Sequence, residues 1–209
     1  MGRPGSPALR ASSLQEPWLV AGLGNPGERY AGTRHNAGAM VVQRLAERMG
    51  ARLKKVRLLP VQVAEAKHDG SVLLLLTPLT FMNVCGPPIA SLARKREVPV
   101  ERIIVCHDDI DLGFGGLRIK RGGSTAGHHG LDSLVEALRS ADFYRVRLGV
   151  GRPAGRWDNV DFLLAPFAKR EQEEVDLLIE DAADAVLSLV DEGLAATQSR
   201  YNRGGGQEG

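Results

Sequence analysis

Every residue of Val72–Leu76 is apolar, and no other stretch limits the possible folds so tightly. A strand that is apolar on both sides must be covered on both faces, so it belongs inside a sheet with layers above and below. Only residues 67–71 separate it from the candidate strand Val61–Ala66. A link that short closes a hairpin but not a crossover, which makes this pair antiparallel. Elsewhere strands and helices alternate, the pattern of parallel pairing through helical crossovers. The expected fold is an α/β sandwich around a mixed sheet.

The other strands are expected at Trp18–Ala21, Ile103–Cys106, Leu117–Arg121 and Arg145–Val150. Helical spacing brings Ala37, Met40, Val41, Leu45 and Met49 onto one stripe, with Gly50 as the stop. A second helix follows Pro87-Pro88, buries Ile89, Leu92 and Ala93, and ends in Arg94, Lys95 and Arg96, where cations suit the helix dipole. A third covers Leu131–Leu138. The longest runs from about Arg170 to Glu192, with Val175, Leu178, Ile179, Ala182, Val186, Leu189 and Val190 along its apolar stripe. A chain of 209 residues suits one domain, placed here over 17–203. Residues 1–16 read as a disordered leader whose arginines and scarcity of acids also fit a targeting segment, and 204–209 as a disordered tail.

No apolar run approaches the roughly 20 residues that span a bilayer, so no membrane is expected as a partner. Cys85 and Cys106 form neither a CxxC pair nor a disulfide framework, which fits a reducing, intracellular compartment. The charge is uneven: residues 1–160 carry 23 Lys and Arg against 14 Asp and Glu, and 161–209 carry 4 against 11. A basic body suits a polyanion, and equally an ordinary solvated surface.

Three familiar chemistries fit poorly. Gly22-Leu-Gly24-Asn-Pro-Gly27 matches GxGxxG, but Pro26 interrupts the loop and no helix begins at once to receive a pyrophosphate. Gly122-Gly-Ser124-Thr-Ala126 departs from the GxSxG of serine esterases at its last residue, so Ser124 reads as a loop hydrogen-bonder. His107-Asp108 and His128-His129 are possible metal ligands, yet no spacing places two imidazoles on one helix face, and no metal is expected.

What remains is a set of polar residues at strand ends and in glycine-rich loops, where open α/β sheets build their sites. They are Asn25, His35-Asn36, Asn83, Asp108 at the end of the Ile103–Cys106 strand, and His128-His129. Singly each has a bland alternative: a turn asparagine, a helix cap at Asn36, a loop acid, a surface histidine. Together, the stretches Gly22-Leu-Gly-Asn-Pro-Gly27, Tyr30, Thr33-Arg-His-Asn-Ala-Gly38, Pro78-Leu-Thr-Phe-Met-Asn83, His107-Asp-Asp-Ile-Asp-Leu112 and Arg147-Leu-Gly-Val-Gly151 resemble the successive signatures of the bacterial-type peptidyl-tRNA hydrolases. The resemblance covers roughly Trp18 to Asn202.

That resemblance implies one domain folded as a three-layer α/β/α sandwich around a mixed, twisted central sheet, a peptidyl-tRNA substrate, and ester hydrolysis without metal or organic cofactor. It makes His35 the catalytic histidine and Asp108 its acidic partner. An imidazole titrating near 7 can take a proton from attacking water while a carboxylate orients the ring. It makes Asn25 and Asn83 active-site amides, with Tyr30 and Met82 lining the cleft and His128 and His129 beside the substrate. Lys120 and Arg147, assisted by Arg118, would grip the tRNA phosphate, a contact that positions without reading sequence. DNA is not an expected partner, and a monomer in the cytoplasm or the mitochondrion is. One departure stands out, because most members read Gly-His-Asn-Gly where this chain has Gly127-His-His-Gly130. It keeps a second reading open, a non-catalytic RNA-binding or splicing partner on the same fold. The retained His35, Asp108, Asn25 and Asn83 favour the enzyme.

Overall fold

The computed structural model describes residues 16–153 and 155–202, so the leader before Glu16 and the tail at 204–209 lie outside the described residues. Among the described residues seven strands form one sheet: β1 (Trp18–Gly22), β2 (Lys54–Lys55), β3 (Val61–His68), β4 (Ser71–Pro78), β5 (Ile103–Asp109), β6 (Leu117–Arg121) and β7 (Tyr144–Gly149), in the order β2-β3-β4-β1-β5-β7-β6. β3 and β4 form the expected antiparallel hairpin, while β1 pairs parallel with both β4 and β5, and β5 parallel with β7. The sheet is mixed, as expected. Leu73–Leu76 are wholly buried, because β4 is an inner strand with side chains alternating between two cores.

One core lies under α1 (Ala37–Arg48) and α5 (Gln172–Tyr201), where Val41, Leu45, Val175 and Ile179 meet Val20, Leu73, Leu75 and Ile104. The other lies under α2 (Gly86–Lys95) and α3 (His129–Leu138), where Ile89, Leu92, Leu131 and Leu134 meet Leu19, Leu74, Leu76 and Val105. Helices on both faces complete the sandwich, and a short α4 (Asn159–Leu164) flanks it. Among the described residues no helix is long and apolar enough to cross a membrane.

Several strand ends shift by a residue or two, and three larger differences from expectation have a physical reason. β5 continues through His107 and Asp108 to Asp109 because β7 pairs with it along that whole length, so Asp108 lies inside the strand. α3 begins at His129, capped by His128, whose Nδ1 accepts from the amides of Gly130 and Leu131. α5 runs on to Tyr201 across a break at Gly193, whose φ of 79° a glycine adopts without strain. The added turns bring Asn202 to the exposed edge of β6. There its Oδ1 accepts from Ile119 N at 2.8 Å and its Nδ2 donates to Ile119 O at 3.0 Å. A side-chain amide thus occupies an edge that would otherwise invite strand pairing.

Candidate active site

The site gathers where β1 and β5 end. β1 leaves the sheet at Gly22, and α1 starts only at Ala37, after a 3-10 turn at Arg34–Asn36 that carries His35. A Cβ at Gly38 would lie 2.1 Å from Cys106 O, and one at Gly22 would lie 2.3 Å from Gly38 O. Only glycine lets the first turn of α1 rest directly on β1 and β5, and this close approach brings His35 to Asp108. Arg34, which the sequence reading passed over, anchors the same turn. Its Nη2 donates to both carboxylate oxygens of Glu171 at 2.8 and 2.7 Å, its Nη1 donates to Pro166 O, and its guanidinium lies over Phe162 and Phe167.

His35 Nδ1 lies 3.0 Å from each carboxylate oxygen of Asp108. With Nδ1 donating, Nε2 is the nitrogen left to accept a proton. Asp108 is 2% exposed and also receives His128 Nε2 at 3.0 Å. Burial opposes its charge, but the charge and hydrogen bond of His128, then those of His35, outweigh burial and hold the carboxyl well below the usual carboxylate range. For His128, burial disfavours the cation, the Asp108 carboxylate favours it, and the balance raises its pKa. The two amides at its Nδ1 donate into the lone pair a second proton would need, so protonating His128 would cost the cap on α3. His107 packs behind, its ring edge-on to His128 with centroids 5.0 Å apart.

Asn25 is set by three hydrogen bonds. Its N donates to Asn36 Oδ1 at 2.8 Å, its O accepts from Asn36 Nδ2 at 2.9 Å, and its Oδ1 accepts from Met82 N at 2.9 Å. Asn36 therefore spends its amide on the Asn25 backbone instead of capping α1. Because the Asn25 side-chain oxygen is held, its Nδ2 is the group left for a ligand. Asn83 is exposed in the turn that follows. Met82 is buried and packs on Gly130, where a Cβ would lie 2.5 Å from its Sδ, so it supports the cleft from beneath. Tyr30 stands half-buried, edge-on to the exposed Phe81. His129 is apart from this group: its side chain is 75% exposed in the first turn of α3, 3.9 Å from Asp132.

The basic residues line β6 and β7 in register, Lys120 opposite Arg145 and Arg118 opposite Arg147. Arg147 Nε donates to Asp109 Oδ2 at 2.7 Å, and Arg118 Nη1 donates to Asn202 O at 2.6 Å, which ties Arg118 to the end of α5. Sequence reasoning missed Arg145, whose burial a period-2 strand pattern does not announce.

His35, Asp108 and His128 also bring three donor atoms within 4.8 Å of one another, a spacing a metal ion could use. Those atoms already hydrogen-bond to one another, and a cation would have to displace both pairs. A cavity of about 540 Å³ lined by Asn25, Asn36, Met40 and Gln172 backs onto the site without including His35 or Asp108.

A buried carboxylate thus lies between two imidazoles where the central strands end. The model of the family described as peptidyl-tRNA hydrolase matches residues 19–208. The chain is 52% identical over 186 residues to the peptidyl-tRNA hydrolase of Frankia casuarinae, covering 89% of this chain and 94% of that protein. It is 47% identical over 191 residues to that of Streptomyces coelicolor, covering 89% and 95%. The crystal structure of peptidyl-tRNA hydrolase from Acinetobacter baumannii superposes with a TM-score of 0.84 at 32% identity, covering 92% of this chain and 98% of that one. The chain belongs to the peptidyl-tRNA hydrolase family.

Proposed function

We propose that this chain hydrolyses the ester joining a peptide to the terminal ribose of a tRNA, with His35 as general base. The observation that carries the reading is the 3.0 Å pairing of His35 Nδ1 with the buried Asp108, which leaves Nε2 as the basic nitrogen. Nε2 takes a proton as water attacks the ester carbonyl, and Asp108 stabilises the imidazolium that forms. The Asn25 and Asn83 amides donate to the oxygen on which charge develops. As the bond from carbon to ribose oxygen breaks, the imidazolium returns its proton to that oxygen, releasing free tRNA and a peptide acid. Lys120 and Arg147 hold a tRNA phosphate, with Arg118 engaged at α5 as a lesser contributor.

All these groups come from one chain, so we read the working unit as a monomer in a single domain. The relatives named above are bacterial, which supports the cytoplasm and lends no support to the mitochondrion. The alternative of a non-catalytic RNA-binding partner gains nothing from relatives that carry the enzyme's name. The deciding experiment follows release of free tRNA from an N-acetylated aminoacyl-tRNA. Turnover is expected, and tRNA binding without turnover would favour the alternative.

A further inference from the structure

Arg145 and Lys120 face each other across β7 and β6, and Arg147 and Arg118 do the same one step along, so two adjacent strands carry two like-charged cross-strand pairs. Such pairs repel. Arg145 is also 1% exposed, and no ion pair joins it to a carboxylate among the described residues. Burial first, then the neighbouring Arg147 charge, lowers its pKa. A buried cation without a carboxylate is costly unless other groups satisfy it, and here the guanidinium lies over the Phe143 ring, 5.0 Å from its centroid.

The guanidinium is committed to a loop. Nη1 donates to Ser124 O at 2.7 Å and Nη2 to Gly123 O at 2.8 Å. Both peptide units are trans, and a trans unit directs its N–H opposite to its C=O. With the two carbonyls drawn inward, the amides of Ser124 and Thr125 turn outward, on a loop exposed at Gly123 and Ser124. Gly122 and Gly123, at φ 67° and 89°, make the turn that permits this. Lys120 Nζ stands against the same loop, 2.9 Å from where a Cβ on Gly123 would lie. Successive outward amides beside an ammonium form a cradle for an anionic oxygen. The same loop ends at His128, the second partner of Asp108.

We propose that Arg145 is a positioning residue that, without touching substrate, shapes residues 122–128 into a phosphate cradle with Lys120 and through that loop sets His128 against Asp108. The proposal rests on the reading of the chain as a peptidyl-tRNA hydrolase. It goes beyond the grip assigned to Lys120 and Arg147 by giving backbone amides a share of the phosphate and by linking that contact to the catalytic carboxylate.

The test uses the full chain, an N-acetylated aminoacyl-tRNA as substrate, and the variants Arg145→Met, Arg145→Lys, Gly123→Ala and Lys120→Ala, each checked for folding by thermal melting. Arg145→Met is expected to raise KM about tenfold, the scale of one lost charge-assisted contact, and to lower kcat as His128 loosens. Its slope of log affinity against log salt should fall by about one, as for Lys120→Ala. Arg145→Lys, whose ammonium can still reach a carbonyl, should recover part of both losses. A merely structural arginine would lower Tm while leaving KM, kcat and salt slope unchanged in the folded protein, and that outcome overturns the proposal. If Arg145→Met does not fold, Gly123→Ala carries the decision: its φ disfavours a side chain, so an unaltered KM and slope would equally overturn it. An inactive wild-type protein would instead remove the functional reading beneath.

Discussion

Asp109 Oδ2 lies 2.7 Å from Arg147 Nε, so the arginine assigned to the tRNA phosphate meets it already partly neutralised. Both side chains are mostly buried, at 13% and 10% exposure, where their attraction is little screened. Asp109→Asn keeps the acceptor that Asp111 N uses and removes the charge. We expect tRNA affinity at low salt to rise roughly 3–10-fold and the salt dependence to steepen. Binding titrations at several salt concentrations measure both, and unchanged affinity would place the phosphate away from Arg147.

His129 stands where most relatives are expected to carry asparagine. An asparagine offers donor and acceptor at any ordinary pH, whereas a protonated histidine offers only donors. His129→Asn should keep or raise ester cleavage and flatten the part of the acid-side decline that this residue causes. Rate against pH for both proteins decides the matter. Superimposable profiles would assign His129, at 75% exposure, to the solvated surface of α3.

His107 makes the folded protein sensitive to acid. Burial first, then the charge of His128, hold its pKa down to about 3, although Asp108 pulls the other way. Unfolded histidine titrates near pH 6.5, so between about 6.5 and 3 the unfolded chain binds a proton that the folded chain does not. This contribution to stability is complete above about pH 6.5 and is lost as pH falls. Asp108 adds a loss in the same direction once pH drops below its unfolded value near 4. His107→Asn retains a donor for Asp108 O and should make unfolding free energy shallower by up to about 1.4 kcal/mol per pH unit between roughly pH 6 and 4. Denaturant unfolding across that range measures it, and an unaltered slope would mean that folded His107 takes up a proton there.

The sheet was legible because Val72–Leu76 is apolar on both sides, and the short turn before it forced a hairpin. The boundaries that moved depend on distant partners: β5 is extended by β7, and α5 by the edge of β6. His35 and Asp108 were legible through motif resemblance, since nothing local in sequence joins residues 35 and 108. Their approach needs Gly22 and Gly38, whose requirement appears only when strand and helix backbones meet. Arg34, Asn36 and Arg145 were not assigned these structural roles, because each supports the site through a backbone carbonyl, a backbone amide or a far carboxylate.

The central claim, that His35 Nε2 is the base and Asp108 its support, is tested most directly by single-turnover cleavage of an N-acetylated aminoacyl-tRNA at saturating enzyme, comparing wild type with His35→Ala. Saturation removes differences in tRNA binding, so the rate reports the chemical step. A loss of about 10²–10⁴ is expected in the variant, with tRNA affinity and thermal stability nearly unchanged. A folded His35→Ala protein that cleaves the ester at the wild-type rate would contradict it.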